Sequence, residues 1–152
     1  MNYKSYKLIL SALILTFLLN RISAQTESGQ TQKSDSTMYS IENCVNTFNP
    51  DKVEKTKVGY QYWFADKKFA DGKTVKLSVV EPHSATHAPH NHIEDEFFFV
   101  LEGTAEFFLD GKTQIVEKNT SLYCPSNMEH GIRNAGDTQL KYLVIKKYEN
   151  VK

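Results

Sequence analysis

Pro89-His90-Asn91-His92-Ile93-Glu94-Asp95-Glu96-Phe97-Phe98-Phe99-Val100-Leu101-Glu102-Gly103 places two imidazoles and a carboxylate just ahead of a strongly apolar run. It reads as a metal site at the start of a β-strand. Residues two apart on a strand share a face and lie roughly 6.6 Å apart along it, so His90 and His92 can converge on one ion. Glu96 supplies a negative oxygen that neutral imidazoles lack. Two histidines and one carboxylate that leave coordination positions open form the facial arrangement associated with mononuclear Fe(II) and similar metals.

The same short, strand-like rhythm continues on both sides. Gly59 to Ala65 is aromatic-rich, Asp71-Gly72 marks a tight hairpin turn, and Thr74 to Val80 alternates, with Val75, Leu77 and Val79 on one face and Lys76 and Ser78 on the other. Downstream, Thr104 to Leu109, the turn Asp110-Gly111 and Thr113 to Val116 form a second hairpin. Ser121 to Cys124, Gly131 to Asn134 and Leu140 to Lys147 follow. No window of helical period competes with these runs, so the expected fold is all-β, an antiparallel sandwich or closed barrel of jelly-roll type.

Strand parity sorts the faces. If Glu96 points inward, so do Phe98 and Val100, and an inward His130 brings Ile132 and Asn134 with it. Phe97, Phe99, Leu101 and Arg133 then face outward. An apolar outer face needs a cover, from the Met38 to Phe64 segment or from a second subunit, and a homodimer is expected. Tyr60, Tyr62, Trp63 and Phe64 serve as core before substrate-stacking surface.

The 152 residues carry no net formal charge. Lys4 and Lys7, the apolar Leu8 to Leu19 and the small residues before Gln25 make residues 1–24 a cleavable signal, cut after Ala24. The apolar run is about twelve residues, short of the roughly 20 that span a bilayer. A periplasmic or secreted product without a membrane anchor is expected. Without those residues 15 basic face 18 acidic ones, a net −3. That balance is a poor match to nucleic-acid binding. Residues 25–37, polar and without bulky apolar side chains, read as a disordered tail. Residues 38–58 form an N-terminal extension in which Asn49-Pro50-Asp51 marks a turn, and 59–149 form one domain. Cys44 and Cys124 are the only thiols, and either pair across a loop of about eighty residues or are two small buried hydrophobes.

A second cluster completes the first. Only His130 lies downstream, in Tyr123-Cys124-Pro125-Ser126-Asn127-Met128-Glu129-His130-Gly131-Ile132-Arg133-Asn134. Here the chain resembles the cupin superfamily. His90, His92, Glu96 and Gly103 stand at the spacing of its first motif, and Pro125, His130 and Asn134 at that of its second. Asn119 and Asn127 occupy two glycine places of the second motif, and Ser84 the opening glycine of the first. Asparagine tolerates the positive φ that such turns demand. The resemblance implies a single cupin domain, a small antiparallel jelly-roll or double-stranded β-helix barrel. In it His90, His92, Glu96 and His130 coordinate one divalent transition metal, with Fe, Mn, Ni, Cu and Zn all compatible. The blander reading of each histidine is a satisfied core or surface residue. For His83 and His87, outside both motifs, that reading stands first, though His87 can line the mouth of the site as an acid or base.

Function is not set by such a scaffold. The expected activity is a metal-dependent enzyme, isomerase, lyase or dioxygenase, on a small oxygen-rich substrate such as an unsaturated uronate. Glu96 acts there as ligand and proton acceptor, and Tyr123 or His87 as a second proton handler. A uronate carboxylate wants a cationic partner, and outward-facing Arg133 does not supply one. The alternative is a non-catalytic sugar- or metal-binding module.

Overall fold

The computed structural model describes residues 39–149. The expected signal (1–24) and tail (25–37) lie outside the described residues. Two compact units divide at Cys44/Val45. In the first, α1 (Ile41–Cys44) is one helical turn with no buried residue. The Ser40 backbone N–H donates to Asn43 Oδ1 at 2.9 Å, which ties down one of the donors that a helix start leaves free.

The second unit is a β-barrel of two antiparallel sheets. Its strands are β1 (Glu54–Thr56), β2 (Gly59–Ala70), β3 (Lys73–Val80), β4 (Glu96–Glu102), β5 (Thr104–Leu109), β6 (Lys112–Glu117), β7 (Thr120–Cys124), β8 (His130–Asn134) and β9 (Leu140–Lys147). One sheet has the order β1-β2-β3-β9-β4-β7 and the other β6-β5-β8. The hairpins form where Asp-Gly pairs predict them: φ is 51° and 81° at Asp71 and Gly72, and 45° and 77° at Asp110 and Gly111. Positive φ at both central residues matches the twist of the flanking strands. The Asn49-Pro50-Asp51 turn is a 3-10 turn capped by the Asn49 side chain, which accepts from the Asp51 N–H. Strand β2 runs past the expected Ala65 to Ala70, with register shifts after Trp63 and Ala65 that bend it.

Parity holds along β4 and β8. Phe98, Val100, Ile132 and Asn134 are buried, whereas Phe97 and Leu101 are exposed. Phe98, Val100 and Ile132 join Val80, Leu122, Leu140 and Tyr142 in the main core. A second cluster of Tyr62, Leu77 and Val79 lies with Val53, Phe64 and Leu143. Phe48 meets the Tyr62 ring edge-on at 5.1 Å, and the Tyr62 hydroxyl donates to Asn46 Oδ1 at 2.9 Å. Residues 46–53 thus cover β2 and β3. They leave Phe97 on β4 uncovered.

Strand β3 departs from a simple amphipathic strand. Its apolar face packs in that second cluster, and its polar face, with Lys76 and Ser78, turns into the barrel cavity. Ser78 and Thr74 are buried. Both faces of this strand are covered, one by protein and one by the wall of a cavity.

Candidate metal centre

The two histidine segments are joined by backbone. His90 and His130 exchange N–H···O bonds of 3.0 and 2.9 Å, an isolated bridge that seats the loop before β4 on the start of β8. A side chain at Gly131 would come within 3.3 Å of Pro89, so only glycine allows this approach without displacing the proline. The turn before β8 adds two clasps: the Asn127 N–H donates to the His92 carbonyl at 2.8 Å and Ser126 Oγ to the Ile93 carbonyl at 2.5 Å. Asn119 and Asn127, standing in for glycines, have φ of 66° and 60°. They adopt the left-handed turn conformation that asparagine tolerates.

This scaffold brings His90, His92 and His130 together. Their ring centroids lie 4.8 to 5.4 Å apart, and one ring nitrogen of each falls within 4.8 Å of the others. Glu96 is 6% exposed and His130 fully buried. Glu96 Oε1 lies 3.1 Å from His130 Nε2 and 3.7 Å from His92 Nε2.

The other face of each ring shows which nitrogen is free. Nδ1 of His90 faces the Ala88 carbonyl at 3.2 Å, Nδ1 of His92 the Glu94 carbonyl at 2.6 Å and Nδ1 of His130 the Met128 carbonyl at 2.8 Å. A carbonyl only accepts, so each Nδ1 carries a proton, and in the neutral ring each Nε2 offers its lone pair. Nε2 of His130 and the Glu96 carboxylate are then two acceptors in contact, an arrangement that a shared cation or proton stabilises. Three neutral imidazoles and a carboxylate fit a divalent transition metal.

The cavity beside this cluster measures about 370 Å³ and is open to solvent. Besides the histidines and Glu96, its wall includes Phe98, Ile132, Tyr142, Lys76 and Lys146. Val100 and Asn134, inward by parity, do not line it. Asn134 is fully buried and ties loops together, donating to the Val80 and Thr138 carbonyls and accepting from the Gly136 N–H.

The two expected proton handlers part company. His87 is exposed at the rim, 6.0 Å ring to ring from His90. Burial, and then the neighbouring His90 and Lys76, push it below the usual histidine range. Tyr123 does not line the cavity. It pairs with Phe97 on the outer face, 46% exposed, and donates to Asp95 Oδ2 at 3.1 Å. Its neighbours Leu122 and Cys124 take the inward positions, so alternation turns it out. The tyrosines that line the cavity are Tyr142 and Tyr148, and Tyr142 is nearly fully buried with its hydroxyl engaged by Thr86 and Ser78. His83 is a surface residue bonded to Asp137 at 2.9 Å.

Both cysteines are free, Cys44 exposed and Cys124 buried. Cys124 pairs with Glu96 in the β4–β7 register. Burial, with the Glu96 charge adding to it, pushes its thiol up to about 12. Its sulfur, Glu96 and His130 form a second group whose ligand atoms lie within 4.8 Å of one another.

Sequence reasoning missed Lys146. Its Nζ lies 3.1 Å from His92 Nε2 and 3.5 Å from Glu94 Oε2. The signal was present: Leu140, Tyr142 and Val144 are inward on β9, and Lys146 continues that alternation. An ammonium donating to His92 Nε2 confirms that this nitrogen is an acceptor facing a cationic position.

A family model described as "Cupin domain" matches residues 76–146. Among curated relatives, the polyketide synthase CurC of Streptomyces cyaneus is 31% identical over 65 residues, 43% of this chain and 42% of that protein. The mannose-1-phosphate guanylyltransferase RfbM of Salmonella typhimurium is 34% identical over 71 residues, 47% of this chain and 15% of that protein. The chain thus spans less than half the length of either. Among solved structures, KdgF from Halomonas sp. superposes with a TM-score of 0.59 at 15% identity, covering 69% of this chain and 96% of that one.

Proposed function

Because the chain belongs to the cupin superfamily, we propose that His90, His92, Glu96 and His130 hold one divalent transition metal and that the protein is a metal-dependent enzyme of isomerase, lyase or dioxygenase type. Its substrate is a small, oxygen-rich molecule, sugar-derived such as an unsaturated uronate. The observation that carries this reading is the set of three Nε2 atoms, each freed by a backbone bond at Nδ1, gathered beside Glu96.

When bound, the metal would supply Lewis acidity toward a substrate oxygen. The chain's own residues do the rest. Glu96, with Oε1 3.1 Å from His130 Nε2 and 3.7 Å from His92 Nε2, would be the ligand whose carboxylate also accepts a proton from the substrate. His87, held neutral at the rim, is the second group able to accept one. Phe98 and Ile132 keep the inner wall apolar, so polar groups of a ligand are directed to the histidine and lysine sides.

The test is metal analysis of the purified protein, followed by a thermal-shift screen of the metal-loaded form against sugar acids and product analysis by NMR. One equivalent of metal and turnover of a sugar acid support the reading. A protein that takes up no metal under any loading condition ends it. The outward direction of Tyr123, which leaves the rim short of one expected proton handler, favours a second reading as a binding module. Metal-dependent binding without product would select it.

The uncovered face with Phe97, Tyr123 and Ile145, neighbours across β7, β4 and β9, supports packing against a second copy. Phe97→Glu would then give a smaller particle by light scattering. The expected signal supports a periplasmic or secreted setting.

A further inference from the structure

The cavity holds two ammonium groups that the metal reading does not use. Lys76 on β3 stands opposite Val144, and Lys146 on β9 opposite Thr74. The two lysines are therefore diagonal neighbours on one face, with backbones roughly 7–8 Å apart. Both line the cavity, but they are not alike.

Lys146 is already partnered by Glu94 and His92, and its Nζ lies 4.9 Å over the Tyr148 ring. Lys76, among the described residues, has neither a carboxylate at ion-pair distance nor a hydrogen-bond acceptor. Its Nζ lies 5.2 Å over the Trp63 ring. Lys141, at the barrel surface, closes on Glu102 at 2.7 Å. The side-chain nitrogen of Gln61, in the same wall, donates to Glu54 Oε2 at 2.6 Å. Burial holds Lys76 below the usual lysine range, with Glu96 pulling it back up. A half-buried ammonium that finds no acceptor of its own is costly, and an anion entering the cavity removes that cost.

We propose that Lys76 is the docking point for a carboxylate of the substrate, so that the cavity selects a sugar acid over the corresponding neutral sugar. This rests on the reading of the cavity as a substrate site. It also supplies the cationic partner that Arg133, paired outside with Glu106 at 2.6 Å, does not. One unpaired ammonium, with Lys146 neutralised by Glu94, matches a singly charged carboxylate better than a phosphate, which draws on several donors.

Trp63, the single tryptophan of the chain, reports the event because it lies against Lys76. The full chain, metal-free and Ni²⁺-loaded, is titrated with D-galacturonate and with D-galactose while Trp63 fluorescence is followed. Calorimetry provides a second reading. Galacturonate is expected to bind at least about tenfold tighter than galactose, as a charge-assisted bond supplies. Lys76→Met erases the preference, and Lys76→Arg keeps it. If Lys76→Met melts early, Lys76→Gln carries the comparison. Equal binding of the two probes overturns the proposal. So does a preference that survives in the Met or Gln variant, or inorganic phosphate displacing galacturonate at lower concentration. Metal uptake without any acid preference sinks this proposal alone. A Lys76-dependent preference in a chain that takes up no metal sinks the metal reading and leaves this one standing.

Discussion

The histidine wall and the lysine wall of the cavity adjoin, with Lys146 beside Glu96 in the β4–β9 register, and are built by opposite means. On the histidine side, each ring is pinned at Nδ1 by a carbonyl of its own loop, and the two loops are clasped by backbone bonds. On the lysine side, β3 and β9 pair in unbroken register from Lys73 to Val80. Yet Lys76 and Lys146 reach the cavity on long side chains held only by what they touch. The first wall is fixed before anything binds, and the second adapts to what enters. Geometry demanding a few tenths of an ångström belongs on the first, and charge recognition, which tolerates a flexible stem, on the second.

The largest blow to this contrast is His130→Ala. The ring is fully buried, with Nε2 3.1 Å from Glu96 Oε1. Metal uptake should fall at least about 100-fold, and stability by about 2–3 kcal/mol from the cavity and the unpaired carboxylate, read by elemental analysis and denaturant titration. Wild-type metal content in this variant would mean that the histidine wall is not the ligand set.

Next comes Lys146→Met, where the two walls touch. Removing an ammonium 3.1 Å from His92 Nε2 should tighten metal binding roughly tenfold by calorimetry, since two cations no longer compete for one nitrogen. An unchanged affinity would show the walls to be independent.

A smaller effect concerns Cys124, behind Glu96. The thiolate is the reactive form, and a thiol pushed up to about 12 is almost wholly neutral at pH 8. Iodoacetamide should label Cys44 in the native protein and both cysteines in denaturant, counted by intact mass. Smallest is Arg133→Ala, on the far side of β8. It should leave metal uptake and sugar-acid binding unchanged and barely move the melting temperature, because exposed pairs are screened by solvent. A loss of acid binding there would reassign the anion partner.

What could be read from the residues follows the same division. Strands, Asp-Gly turns and the motif histidines were legible because they depend on local spacing, and β5 and β9 run between the expected residues. The lysine wall was hidden. A polar residue on an alternating strand reads as solvent-facing, and only the barrel's closure turns Lys76 and Ser78 inward. Tyr123 was misplaced for want of parity with Cys124, whose burial fixes the face. The exposed Phe97 was legible as outward, whereas the residues that cover β2 and β3 were not, because Asn46 and Phe48 act through contacts far along the chain.

The carbonyl bonds to the three imidazoles carry a consequence for how this protein can change. Ala88, Glu94 and Met128 contribute peptide oxygen to those bonds, and every amino acid, proline included, has one. Substitution at these three positions therefore leaves the tautomers as they are so long as the loop path is kept. The chemistry of the centre is thereby insulated from drift at these three positions.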